Sequence, residues 1–181
     1  PNAMMSYLSA LDLVLHNGRD ARTGQQVALA GGEIETFTSF EHLLSAFKNQ
    51  ISTTHRLLAL RQGFELRAER ESASFHFMSL LNGACVERGR SWVDGGIQYL
   101  GGMIESFGLT NVSDSLAAIR ELVFEKRVMS LKQLVRVLDA DFDGFEAERQ
   151  LMLSAPKYGN ADDAVDVLLV ELSNFVCTDA M

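Results

Sequence analysis

The sequence predicts a mainly α-helical chain with one or a few short strands. Three observations lead there. Apolar residues recur at spacings of three and four along most of the 181 residues. Two capping-box signatures, Thr38-x-x-Glu41 and Ser130-x-x-Gln133, open such runs. One stretch, residues 89–112, breaks the pattern with Gly89, Gly95, Gly96, Gly101, Gly102 and Gly108.

Met4, Leu8, Leu11 and Leu15 share one helical face, and His16-Asn17-Gly18 supplies the stop. Residues 19–36, broken by Thr23-Gly24 and Ala30-Gly31-Gly32, read as loop. After the Thr38 cap comes a long helix with Phe40, Leu43, Leu44, Phe47 and Ile51 in one stripe. It turns charged at Glu65, Arg67, Glu69, Arg70 and Glu71, which reads as a solvated end or an exposed linker. A second helix is expected over Phe75 to Glu87. The glycine-dense stretch then holds one short strand around Ile97, Tyr99, Leu100, Met103 and Ile104.

Helix resumes after Ser113, with Leu116, Ile119 and Val123 inward. The Ser130 box opens a helix burying Leu131, Leu134, Val135 and Leu138. Another runs from Phe145 to Leu153 and is ended by Pro156. Asn160 is expected to cap the last, whose stripe is Val165, Leu168, Leu169, Leu172 and Val176. No internal repeat or Pro- or Ser-rich linker divides the chain, which reads as a single segment over residues 1–181.

Composition sets the outer bounds. At 47% hydrophobic and 22% charged, the chain can bury a core. Sixteen Lys and Arg against twenty-four Asp and Glu give a net charge of −8, the wrong sign for a phosphate-binding surface. No window is long and apolar enough for a membrane span, and Pro1-Asn2-Ala3-Met4-Met5 lacks signal-peptide character. Cys85 and Cys177 read as free thiols of a cytosolic protein. The expectation is a cytoplasmic chain with no nucleic-acid and no membrane partner.

Residues alone give no convincing active site. Asp139, Asp141, Asp143 and Gly144 mimic the start of a calcium-binding loop, but Gln150 stands where the bidentate Glu belongs. An acidic turn between helices is the better reading. His16, His42, His55 and His76 show no metal-ligand spacing, so no metal is expected. Cys85 has Arg88 nearby to lower its pKa but no His placed by sequence as its base, and reads as a buried free Cys.

Longer strings say more. Pro156-Lys157-Tyr158-Gly159-Asn160, followed by Asp162, Asp163 and Asp166, is one. Asn111 to Ile119 with Val123-Phe124-Glu125 is a second, and Arg88-Gly89 with Gly95-Gly96-x-x-Tyr99 a third. Phe142-x-Gly144-x-Glu146-x-x-Arg149 and Leu8 to Gly24 complete the set. In this order, from about residue 8 to residue 170, they resemble the glycyl radical enzymes, the family of pyruvate formate-lyase and its dehydratase, decarboxylase and lyase relatives. Ala161 stands where the family usually has Asp, Leu100 replaces an Asn, and Ser113 replaces a small apolar residue. The stretch from about Glu65 to Ser74 is shorter and more charged than the family pattern.

The resemblance implies the middle-to-late part of a ten-stranded α/β barrel. It implies a parent enzyme of anaerobic metabolism, a radical lyase, dehydratase or formate acetyltransferase, acting on a small organic substrate. A C-terminal glycyl radical, installed by a radical S-adenosylmethionine activase, takes a hydrogen atom from a loop Cys, and the thiyl radical attacks the substrate. Neither the Cys loop nor the glycine loop of the family is among these 181 residues, and neither Cys85 nor Cys177 matches the radical Cys. No catalytic residue and no cofactor is therefore assigned to this chain, which is expected to be inactive alone. The resemblance places Tyr99, Asn111, Ser113 and Asp114 on the parent's substrate-cavity wall. Its implied partners are the remainder of the barrel, the activating enzyme and the substrate, with self-association of the isolated chain through uncovered apolar surface. The alternative is a helical binding or interaction module derived from that barrel without its chemistry.

Overall fold

The computed structural model describes residues 2–73 and 75–179. Helix dominates as the periodicity predicts, and two short strands join it. The chain packs as two compact units, one of Pro1–Met5 with Thr54–Glu105 and one of Ser6–Thr53 with Ser106–Met181.

The larger unit holds most of the buried apolar side chains. Its first helix, α1 (Tyr7–Leu15), starts three residues later than predicted and is capped by Ser6, whose hydroxyl accepts from the Ser9 N–H at 3.3 Å. Tyr7, Leu11 and Val14 face inward. Met4 is not helical and is 67% exposed, while Ala3 and Met5 on either side of it are buried. That alternation belongs to a strand, and the spacing from Met4 to Leu8 imitated a helical one. Within residues 19–36 a 3-10 turn forms at Ile34–Thr36.

Helix α2 (Phe40–Ser72) is 33 residues long. Its cap is Ser39, which accepts from the His42 N–H at 3.2 Å, one residue beyond the predicted Thr38. In the larger unit it buries Phe40, Leu43, Leu44, Phe47 and Ile51, the predicted stripe. Helix α5 (Leu109–Ile119) buries Val112, Leu116 and Ile119 and continues into a π-helical turn at Arg120–Glu125. Within that turn Leu122 is buried, while the predicted Val123 is half-buried. Helix α6 (Leu131–Asp139) has the predicted Ser130 cap, accepting from Gln133 N–H at 3.1 Å. It buries Val137 rather than Val135 and Leu138. Helix α7 (Glu146–Ser154) runs up to Pro156. Helix α8 (Asp163–Asp179) buries Val165, Leu168 and Leu172 against α5. Its first turn is served by Asp162, accepting from Ala164 N–H at 3.0 Å, and not by the predicted Asn160.

The smaller unit contains the charged half of α2, helical throughout and laced by Arg61–Glu65 and Arg67–Glu71 pairs at i,i+4. The solvated-end reading of that charge run is the right one. The helix expected over Phe75 to Glu87 is two short ones, α3 (His76–Leu80) and α4 (Gly83–Arg88). Asn82 separates them because its side chain accepts from the Ala84 N–H and restarts the helix. Strand β1 (Asn2–Ser6) pairs with β2 (Met103–Phe107) in a two-stranded parallel sheet. Ser74, at the end of the charged stretch, and Pro1 lie outside the described residues.

Candidate functional site

Of the sequence-predicted site residues, three sit on α5. The helix was expected to begin after Ser113, but it begins at Leu109, with Gly108 at its N-cap in the left-handed region (φ 81°) that glycine adopts freely. Asn111 is therefore in the first turn and exposed. Ser113 is fully buried, and its hydroxyl donates to the Leu109 carbonyl at 2.9 Å. Its hydrogen-bonding need is met within its own helix.

Asp114 reaches further. One carboxylate oxygen accepts a 2.7 Å hydrogen bond from the backbone N–H of Tyr158. Beside it, Lys157 turns back onto the end of α7 and donates to the carbonyls of Met152 (2.9 Å) and Ala155 (2.6 Å). A cation on unsatisfied C-terminal carbonyls is a favourable cap. The segment from Pro156 to Asp162 thus ends one helix, docks on α5 and starts another. Ala161 sits in the left-handed region (φ 58°), where Asp or Asn is better accommodated than Ala.

Asp114, Ser115 and Lys157 border an apolar groove of about 330 Å³ in the larger unit, walled by Leu11, Leu15, Ile119, Leu134, Leu138 and Phe142. His16, the residue after the groove-lining Leu15, meets two carboxylate-bearing residues. Its Nδ1 lies 2.8 Å from the Asp12 carbonyl oxygen and its Nε2 lies 2.9 Å from Asp139 Oδ1. Burial of the ring opposes protonation, but these hydrogen bonds and the two nearby carboxylates outweigh it and hold the pKa above its ordinary value. Asp139, the first residue of the calcium-loop mimic, is thus engaged by a histidine. Spacing could not show this pair, because its members lie on different helices.

Tyr99 belongs to the smaller unit and is 84% exposed; its hydroxyl accepts from the Gln98 side chain at 3.3 Å. Cys85 is buried and lines a cavity with His76, Ser79 and Arg90. Arg88, which the sequence put beside Cys85, donates instead to the Gly96 carbonyl at 3.1 Å. Cys177 is exposed. No helix among the described residues is long and apolar enough to cross a membrane.

Known proteins match along nearly the whole chain. The sequence profile of the Pyruvate formate lyase-like family matches residues 2–181. The chain is 33% identical to a trans-4-hydroxy-L-proline dehydratase of Clostridioides difficile, over 94% of this chain and 22% of that protein. It is 33% identical to an isethionate sulfite-lyase of Desulfovibrio desulfuricans, over 92% of this chain and 20% of that protein. The crystal structure of the hydroxyproline dehydratase from Clostridioides difficile superposes with a TM-score of 0.90 at 30% identity, over 97% of this chain and 22% of that one. The solved neighbours are glycyl radical enzyme barrels, and the chain spans about one-fifth of the length of the relatives it matches. With its helices, its small parallel sheet and its Lys157-Tyr158-Gly159-Asn160 segment docked on α5, the chain belongs to the pyruvate formate lyase-like family of glycyl radical enzymes.

Proposed function

We propose that this chain is a segment of the catalytic barrel of a glycyl radical dehydratase or lyase acting on a small organic substrate, and that the 181 residues alone are catalytically silent. One observation carries the reading: a match along residues 2–181 that covers about one-fifth of each relative. The two relatives named above are a dehydratase and a sulfite-lyase, both names for enzymes that expel a small group. In the parent, the glycyl radical supplies a hydrogen-abstracting centre relayed through a cysteine.

The chain's own residues build the frame. Asp114 and Lys157 fix the segment between α7 and α8. Of the residues the resemblance places on the parent's substrate-cavity wall, Tyr99 in the smaller unit and Asn111 in the larger are exposed and remain candidates, whereas Ser113 is fully buried and bonded within its own helix and Asp114 is held by the Tyr158 N–H. Exposed apolar side chains support a larger whole. Leu57, Leu60 and Phe64 line up on α2 at spacings of three and four, with Leu60 61% and Phe64 73% exposed. Their partner is the remainder of the barrel, and in its absence a second copy of the chain.

The test is electron paramagnetic resonance after anaerobic incubation with a radical S-adenosylmethionine activase. The chain alone is expected to give no glycyl radical signal, and the longer polypeptide containing it is expected to give one. A glycyl signal from the chain alone, or none from the activated longer polypeptide, overturns the reading. Tyr99→Phe in that longer protein should lower turnover; unchanged kinetics would remove Tyr99 from the cavity wall.

A further inference from the structure

Both ring nitrogens of His16 face acceptors. The Asp12 carbonyl lies opposite Nδ1, with an Asp12 carboxylate oxygen 3.2 Å from the same nitrogen, and the Asp139 carboxylate lies opposite Nε2. A neutral imidazole has a single N–H and satisfies only one of them. The side chain is 14% exposed, so water has little access to the ring nitrogens. Asp139 is the last residue of α6, and the chain beyond it turns through three left-handed positions, Asp141 (φ 48°), Phe142 (φ 63°) and Gly144 (φ 75°). The non-glycine members of such a turn persist only when their surroundings hold them. Leu138 and Phe142, on either side of that junction, form one wall of the apolar groove.

We propose that His16 is a proton-operated clasp: as imidazolium it ties the end of α1 to the end of α6 and holds the Leu138–Phe142 wall in place, and loss of its proton frees that wall. The departing proton is assigned to Nε2, because Nδ1 faces two acceptors of Asp12, the carbonyl at 2.8 Å and a carboxylate oxygen at 3.2 Å, against the one Asp139 oxygen at Nε2. The neutral ring then sets a lone pair against the Asp139 carboxylate.

The charges acting on the ring are those of Asp12, from its own helix, and Asp139, from α6. Among the described residues Asp141, Asp143 and Glu33 make no bond to it; Glu33 accepts from Asn17. The other charged groups of the groove, Asp114 and Lys157, are engaged with Tyr158 N–H and the α7 carbonyls. The inference rests on the larger unit alone and stands whatever reaction the parent performs.

The experiment uses the 181-residue chain from about pH 5.5 to about pH 9, a range spanning ordinary histidine titration. Nuclear magnetic resonance follows the His16 ring, with His42, His55 and His76 as internal comparators. Hydrogen exchange, corrected for intrinsic pH dependence, follows the amides of residues 140–145. The ring is expected to titrate above 6.5, its ordinary value. Protection of the turn is expected to fall at least about threefold through the same midpoint. Asp139→Asn, at a half-exposed position, should lower the ring midpoint and leave the turn poorly protected at every pH. His16→Asn should remove the pH dependence of protection. A ring midpoint at or below 6.5, or protection that does not change across it, overturns the proposal.

Discussion

The Asp114 carboxylate accepts a 2.7 Å hydrogen bond from the Tyr158 N–H, forty-four residues along the chain. It joins the two segments whose strings most resemble the family, and gives their shared presence a physical reason. A carboxylate accepting from a backbone amide forms a charge-assisted bond. Its loss leaves that amide without its partner, and Asp114→Ala should cost roughly 1–2 kcal/mol. For a chain of this size that lowers the melting temperature by about 2–4 °C per kcal/mol. Asp114→Asn keeps a neutral acceptor and should cost less. Equal melting temperatures for Asp114→Ala and the parent sequence would show that the bond holds nothing.

Ala161 offers the opposite sign. Its φ of 58° is costly for a side chain with a Cβ and free for glycine. Ala161→Gly should stabilise by about 0.5–1 kcal/mol, the folded-state relief exceeding the added freedom of the unfolded chain. Ala161→Asn should stabilise by a similar direction and smaller amount. Denaturant unfolding at unchanged slope is the check, and a lower midpoint for both variants would contradict it.

In the smaller unit, Gly96 has no room for a side chain. A Cβ there would stand 2.3 Å from the Arg90 carbonyl oxygen and 2.7 Å from Cys85 Sγ. The backbone must move to admit even a methyl group, so Gly96→Ala should cost about 1–3 kcal/mol. It should also raise the reactivity of Cys85 toward a thiol reagent, since the buried sulfur is packed by that glycine. A thiol-labelling rate equal to that of the parent sequence would refute the second part.

The pH dependence of stability has a definite direction at His16. Its folded-state pKa lies above the unfolded value of 6.5, because hydrogen bonds to Asp12 and Asp139 overcome the burial that opposes the charge. The folded state therefore binds the proton more tightly. The stabilisation is full below 6.5 and is lost as pH rises through the folded-state value. Melting temperature should fall over that window, and the fall should be smaller in His16→Asn.

Self-association should follow the exposed stripe on α2. Leu60→Lys together with Phe64→Glu replaces two exposed apolar side chains and removes no core contact. Size-exclusion chromatography should show a smaller apparent mass for the double variant, at an unchanged melting temperature measured in dilute solution. A monomeric parent sequence with a sharp cooperative melt would favour the interaction-module reading over the barrel segment.

Local patterns carried most of the helices. The Phe40–Ile51 and Val165–Leu172 stripes and the Ser130 cap were legible because each is decided within one or two helical turns. Errors came where two local signals competed. Ser113 looked like a helix start because serine caps well, yet Gly108 already provides the turn and Ser113 hydrogen-bonds within the helix. Thr38 and Ser39 both qualify as caps, as do Asn160 and Asp162, and in the fold the second of each pair makes the capping hydrogen bond. The contacts that shape the groove, Asp114 with Tyr158 and His16 with Asp139, join distant parts of the chain. No periodicity encodes such pairs, and only the order of the family-like strings pointed toward the first.

The π-helical turn at Arg120–Glu125 closes with the Lys126 N–H on the Glu121 carbonyl, five residues back. A turn of that kind is an α-helix carrying one surplus residue. The chain accordingly holds a length reserve at this point. Deleting a single residue between 120 and 125 can be absorbed by tightening the turn, with Ser130 and α6 left where they are. The same deletion in α8 between Leu168 and Leu172 would rotate Leu172 about 100° away from the face that Val165 and Leu168 bury.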